Sequence, residues 1–251
     1  MKKLMLGSLL AGSIMLLNSC LDGENSSSIQ GEYYGLVEID LKAGGNVIYY
    51  NDEDYPLYSP TLSLQILDGE CCRILCTYKS EDNPNTATVG YHIIQEIDYA
   101  VVDKGTVIPT KADTVGVKEN ELSMSTLVLR NYVKGYLFID SYQESMDTGQ
   151  ENRYELSYNI EQEPVLESNK NVYQLYLRTS KVGDGKSPKN NQIVPNAYYV
   201  KYFFDTISNA EKEKGNSEYS FKINYIKSFT TDSTPNWASS EIQTIPITKN
   251  E

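Results

Sequence analysis

The sequence predicts an all-β protein, a small N-terminal barrel followed by a C-terminal antiparallel β-sandwich, and three observations predict it. Apolar and polar residues alternate in segment after segment, the signature of strands buried on one side. Tyr, which favours strands, occurs 21 times against 5 Phe and 1 Trp. Stretches rich in Gly, Pro and Asn separate the segments, as turns do. Tyr joins an apolar ring to a polar tip, and the alternation assigns most of these rings to a core with hydroxyls at its rim, not to a stacking platform.

The chain opens with MKKLMLGSLLAGSIMLLNSC. Lys2 and Lys3 are followed by an apolar run from Leu4 to Leu17, too short for an ordinary spanning helix and laid out as a signal peptide over residues 1–19. Leu17-Asn18-Ser19-Cys20 resembles a lipobox, which implies a covalent lipid on Cys20. A single acyl chain holds a protein to a bilayer marginally, while two or three hold it almost permanently. Residues 20–30 (CLDGENSSSIQ) are polar and without periodicity, a tether. Asp22 and Glu24 resemble the acidic signals that send lipoproteins of the Bacteroides group to the outer face of the outer membrane, which favours surface display over the periplasmic face.

Residues 31–116 read as the first unit. Gly35, Val37, Ile39 and Leu41 alternate with Leu36, Glu38 and Asp40, and a Gly44-Gly45 turn leads to a second hairpin arm, Asn46–Tyr50. Leu62, Leu64 and Ile66 alternate toward a turn at Asp68-Gly69, and a cysteine-rich strand follows. Asn83-Pro84-Asn85 breaks it from a long strand with Tyr91, Ile93, Ile97, Tyr99 and Val101 on one face. Five or so short strands with little helix potential fit an OB-like barrel.

Residues 117–251 read as the sandwich with an extended tail. Ser123–Arg130 and Val133–Tyr142 form an interrupted pair or one bent strand. Regular strands follow at Tyr154/Leu156/Tyr158/Ile160, Tyr173/Leu175/Leu177, Tyr198/Val200/Tyr202/Phe204 and Tyr219/Phe221/Ile223/Tyr225. Lys181–Asn196 and Ser208–Ser217 read as connections, and Ile207–Lys214 allows one short helical turn, the only helix expected after the leader. Glu241–Thr248 is a possible last strand, placed at an edge by Pro246.

The lipobox, the CLDGENSS start, LDGECCRILCTY, VYQLYLRTS, YYVKYFFDTIS and NSEYSFKINY together resemble the NigD-like lipoproteins of the Bacteroides group. That resemblance implies an N-terminal OB-type domain, a C-terminal β-sandwich and an envelope location, and no reaction.

Chemistry is mostly excluded. The formal charge of −12 becomes −14 once Lys2 and Lys3 are cleaved off, and no basic patch offsets it, so nucleic acid is not a partner. Cys71, Cys72 and Cys76 share one strand; Cys72 and Cys76 lie about 13 Å apart at the usual strand rise, beyond disulfide reach, and read as buried free thiols. His92 is the only histidine, which forbids two-histidine zinc motifs and leaves a lone residue on the solvated face of Ile94, Glu96 and Asp98. Asn51-Asp52-Glu53-Asp54 lacks the register of a calcium loop, and Gly183-Asp184-Gly185-Lys186 lacks the spacing of a phosphate loop. No catalytic residue, metal site or cofactor beyond the lipid is expected. The reading is a non-catalytic outer-membrane lipoprotein that contacts the membrane through its lipid and binds or assembles with another macromolecule. Its alternatives are a glycan-binding protein using exposed Tyr or Trp237, a fimbrial-type subunit, and a carboxylate-based hydrolase.

Overall fold

The computed structural model describes residues 28–51, 54–61, 67–79, 83, 85–110, 116–118 and 120–247. Cys20, the signal peptide, most of the tether and Leu62–Ile66 lie outside the described residues.

The first hairpin is as expected: β1 (Ser28–Asp40) returns as β2 (Gly45–Tyr49), with Gly44 at φ +72° in the turn. A two-residue β3 (Leu57–Tyr58) pairs with β2. The cysteine strand β4 (Cys71–Lys79) lies along β1, in register from Ser28↔Lys79 to Leu36↔Cys71. A single helical turn, α1 (Thr86–Val89), ends at Gly90, whose φ of 87° only glycine adopts cheaply. Then come β5 (His92–Ile93) and β6 (Gln95–Lys104), the latter paired with β4.

The long strand predicted over Tyr91–Val101 is thus interrupted, and its expected core face is largely turned outward. Ile93, Ile97 and Val101 are exposed, while Ile94 and Val102 are buried. The ladder explains it: Leu75 pairs with Asp98 and Cys76 with Glu96, so Ile97 is the extra residue of a β-bulge. A bulge exchanges the faces on its two sides.

At Gly105 the chain leaves this sheet, and β7 (Thr106–Pro109) joins the second one, pairing in parallel with a strand of the sandwich. The sequence reading carried the first unit to residue 116; its last strand belongs to the other sheet. A short β8 (Glu121–Leu122) precedes the hairpin of β9 (Thr126–Val133) and β10 (Tyr136–Thr148), turned by Lys134 and Gly135 at positive φ. Four strands follow: β11 (Glu151–Tyr158), β12 (Val165–Glu167), β13 (Lys170–Gly183) and β14 (Lys186–Tyr199). Lys181–Asn196, expected as a connection, is therefore mostly strand.

The largest correction is α2 (Lys201–Glu213). Tyr198 lies in β14, which ends at Tyr199, but Val200–Phe204 is not a strand. Val200, Phe203, Phe204, Ile207 and Glu211 are buried on one helical stripe, and Tyr202 is 69% exposed. The last described strands are β15 (Glu218–Phe229), β16 (Pro235–Ser239) and β17 (Gln243–Pro246); among the described residues β17 pairs with β15 alone, at the edge Pro246 implies.

The fold is all-β, an OB-type unit joined to a β-sandwich. A nine-stranded sheet runs β5-β3-β2-β1-β4-β6-β14-β10-β9, so the N-terminal strands continue into one layer of the sandwich, and no ladder among the described residues closes them into a ring. The other layer runs β16-β15-β13-β11-β7, with β8, β12 and β17 attached. Pairing is mostly antiparallel, as alternation implied. β13 and β15 pair in parallel because β14 and α2 supply the crossover that parallel neighbours need. The main core lies between the layers: Leu137 and Ile139 face Leu156, Leu175, Leu177 and Ile223, and Phe203 and Phe204 of α2 seal one end. Phe138 points the other way and meets Tyr34, Leu36, Cys71 and Val102, which fastens the N-terminal strands to the sandwich.

Candidate functional site

Tyr33 and Tyr34 are neighbours on β1 and so face opposite sides, Tyr33 onto the N-terminal core and Tyr34 onto the seam with the sandwich. Tyr50 and Asn51 leave the end of β2, and Arg130, Asn131 and Tyr132 approach from β9. These residues and Glu32 line a cleft of about 430 Å³ where the two parts meet, a size within the ordinary range for ligand sites.

The cleft is held by a polar network. The Asn131 amide donates to the backbone carbonyls of Tyr34 (2.7 Å) and Tyr50 (2.5 Å), so one side chain ties β9 to both arms of the first hairpin. Its Oδ1 is buried without a partner. Arg130 lies over the Tyr34 ring, 5.3 Å from its centroid, and donates to Asp140 from Nε (2.8 Å) and a terminal nitrogen (2.6 Å). Tyr34 donates its hydroxyl to the same carboxylate oxygen at 3.1 Å, leaving the other oxygen of this 1%-exposed acid unpartnered. Burial, then the Asp140 charge, pushes the Tyr34 hydroxyl well above its ordinary range, so it stays a donor.

The walls are aromatic. Tyr33 and Tyr50 meet edge to face at 4.9 Å, and Tyr132 packs against Phe204 at 5.0 Å, which links the cleft to α2. Burial raises the pKa of both Tyr33 and Tyr50, with the Asp54 charge adding to it. Asp54 also accepts from the Asn51 amide at 2.9 Å, which holds this carboxylate beside the cleft.

The residues singled out in the sequence lie elsewhere or at its margin. His92 is not on a solvated face: it is half-buried between Tyr55 (5.8 Å) and Tyr78 (5.4 Å), with the Thr86 hydroxyl 3.5 Å from Nδ1. Burial lowers its pKa, against the pull of Asp54. Cys71, Cys72 and Cys76 are buried free thiols; Cys72 and Cys76 share the N-terminal core and Cys71 faces the seam. Burial pushes them up to about 11, 12 and 12 respectively. Trp237 meets Tyr176 edge-on at 5.6 Å on the far sheet, away from the cleft. Gly183–Lys186 forms a turn between the layers, where Lys181 pairs with Asp184. Seven tyrosines are buried, namely 34, 154, 158, 173, 198, 219 and 225, while Tyr55, Tyr199 and Tyr202 are exposed. Among the described residues, no group of three or more His, Cys, Asp or Glu is placed to hold a metal.

Arg130, Asn131 and Asp140 were missed in the sequence. Asp140 did leave a signal: an acid directly after the apolar run Leu137-Phe138-Ile139, if it stays in the buried strand, requires a buried partner. Nothing local identifies Arg130 as that partner, because the pairing is made across the hairpin.

Residues 25–96 match a family model described as a lipoprotein OB domain. A search of curated proteins finds no match. Among solved structures, an uncharacterized protein of Parabacteroides merdae shares 25% identity over 87% of this chain and 100% of that one, with a TM-score of 0.75. A Bacteroides fragilis protein described as a lipoprotein shares 12% identity over 88% and 99%, with a TM-score of 0.57. A NigD-like immunity protein of Bacteroides caccae also aligns, at 13% identity over 83% and 91%, with a TM-score of 0.49. The lipoprotein likeness drawn from the sequence is met by the family match over residues 25–96, and the Parabacteroides merdae and Bacteroides fragilis structures share the fold.

Proposed function

We propose, from a chain whose residues 25–96 match a lipoprotein OB domain, that the protein is a non-catalytic, lipid-anchored binding protein of the bacterial outer membrane. It engages another macromolecule at the cleft between its two parts. The observation that carries this is the cleft itself: Arg130 and Asn131, the former held from behind by the buried Asp140, facing the half-buried rings of Tyr33, Tyr50 and Tyr132. The anchor is the lipid on Cys20, and surface display follows from Asp22 and Glu24.

Two features support binding over catalysis. The one deeply buried acid at the cleft, Asp140, is committed to Arg130 and Tyr34, and Glu32 shares Arg73 at 3.6 Å. Neither is poised as a general acid or base toward a bound ligand.

A glycan is the second reading, favoured by aromatic walls interleaved with the amides of Asn51 and Asn131. Because Arg130 is neutralised by Asp140 and the chain is strongly acidic, such a glycan would be uncharged. The purified protein and its Tyr50→Ala variant, applied to an array of neutral and acidic glycans, test this: signal on neutral glycans that the variant loses supports it, and a flat response removes it. A photo-crosslinking residue in place of Asn51 in intact cells tests the protein reading. No specific adduct there, together with a flat array, would end the proposal.

A further inference from the structure

β6 and β14 run side by side only at their ends: Asp103 faces Asn196 and Lys104 faces Ala197. Before that point the two strands diverge. β14 is laddered to β10 along one edge, and β6 to β4 along its outer edge. Among the described residues, the edges that β6 and β14 turn toward each other have no strand partner ahead of Asp103 and Asn196. The opposite sheet repeats the pattern, because β7 begins to pair with β11 only at Glu155, and among the described residues Glu151–Tyr154 have no strand partner on that side. Gly105 is where the chain crosses from one sheet to the other, donating its N–H to the Ala197 carbonyl at 2.9 Å. Its lack of a side chain is required there, since a Cβ would run into the Tyr198 ring.

The divergence leaves a cleft of about 610 Å³, lined in part by Lys104, Arg153, Gln192, Val194 and Asn196. It shares no lining residue with the aromatic cleft. Asn196 is 4% exposed and its Oδ1 has no hydrogen-bond partner, an expensive state for a buried acceptor. Apolar side chains are left in solvent on both flanks, Val101 and Ile97 on β6 and Ile193 on β14.

We propose that this wedge accepts an extended peptide segment of a partner polypeptide, which adds as a strand along residues 190–194 of β14. A bare strand edge presents the N–H and C=O of every second residue at a fixed spacing, and an extended backbone is the ligand that matches that spacing. The window is defined by sequence. Asn190-Asn191-Gln192-Ile193-Val194 carries no charge and no proline, whereas Lys186, Pro188 and Lys189 on one side and Pro195 on the other blunt the edge. Five residues of strand span about 17 Å, so the recognised segment is short. The added strand covers the exposed apolar side chains, and a backbone N–H at its end reaches Asn196 Oδ1. Uncharged, β-branched side chains suit the incoming segment.

Hydrogen exchange of the purified full protein, followed by mass spectrometry, tests this with a capped Thr-Val-Thr-Val-Thr peptide at about 1 mM, the weak end of the affinity scale. The expected result is exchange slowed at least about tenfold in the fragment holding residues 190–194. The same peptide with alternate backbone nitrogens methylated keeps its side chains but loses the ladder, and gives no protection. Ile193→Lys, an exposed position that should leave the fold intact, reduces protection by the parent peptide. Protection elsewhere only, none at all, or equal protection by the methylated peptide overturns the proposal, as does protection of this fragment by a neutral oligosaccharide and not by the peptide.

Discussion

Glu211 is the residue whose removal should be felt most clearly through pH. It lies on the buried face of α2, 1% exposed, and four side chains donate to it: Tyr173 (2.8 Å), Lys214 (2.8 Å), Asn216 (2.5 Å) and Asn171 (3.4 Å). Burial alone would raise its pKa. The hydrogen bonds from Lys214, Tyr173, Asn216 and Asn171 together outweigh burial and bring it from an ordinary 4.5 to about 2. A carboxylate whose folded pKa is depressed contributes stability that is fully present above the unfolded value and lost as pH falls through the folded one. At about 1.4 kcal/mol for each tenfold change, the interval amounts to about 3 kcal/mol. Lys214 is 46% exposed, so its share is screened and about 2 kcal/mol is the firmer expectation. Glu211→Gln keeps the size and one acceptor but removes the charge. Urea unfolding should show it about 2–3 kcal/mol less stable than the parent at pH 7, with the gap closing between about pH 4.5 and pH 2. A gap of the same size at pH 7 and pH 2.5 would refute the reasoning, and so would a gap under about 0.5 kcal/mol at pH 7.

Three further outcomes are expected. Phe204, 2% exposed and in ring contact with Tyr132, Phe203, Tyr219 and Phe221, should cost about 3–5 kcal/mol when cut to Ala, measured by denaturant unfolding. Asn131→Leu strips donors from the Tyr34 and Tyr50 carbonyls and should cost about 1–3 kcal/mol while abolishing ligand binding at the cleft; calorimetry reads both. Cys71, Cys72 and Cys76, buried and pushed up to about 11, 12 and 12, should resist N-ethylmaleimide in the native protein at pH 8 and label fully in denaturant, as intact mass will show.

The elements that were legible in the sequence are those where a single periodicity operates. Tyr219, Phe221, Ile223 and Tyr225 alternate, and all are buried on β15. The first hairpin follows from its glycines. Tyr198–Phe204 deceived because two periods overlap there. Val200, Tyr202 and Phe204 alternate as a strand would, while Val200, Phe203, Phe204 and Ile207 stand at helical spacing, and packing against the sandwich core selects the second. The Tyr91–Val101 face was misread because a bulge at Ile97 exchanges faces without leaving a mark in composition. His92 became half-buried for a related reason: the strand breaks on either side of it, and Tyr55 and Tyr78 arrive from distant segments. The cleft was the least legible part, since its network joins residues from β1, β2, β9 and β10 that no local pattern connects.

The shared nine-stranded sheet bears on how the protein answers to force. Under the proposed function, a chain tied to a membrane at one end and to a partner at the other would be pulled whenever the cell or its surroundings move. Tension arriving at Ser28 and directed along β1 would stress the nine paired positions between β1 and β4 in shear, all together and not one after another. Beyond β4 it passes through β6 into β14 and β10 by way of two paired positions, Asp103 with Asn196 and Lys104 with Ala197, backed by the packing of Phe138 on Tyr34, Leu36, Cys71 and Val102 and by the Asn131 bonds to Tyr34 and Tyr50. The two parts should therefore yield as one body, and the aromatic cleft, which sits across their junction, should keep its shape under a pull that would open a pair of domains joined by a linker.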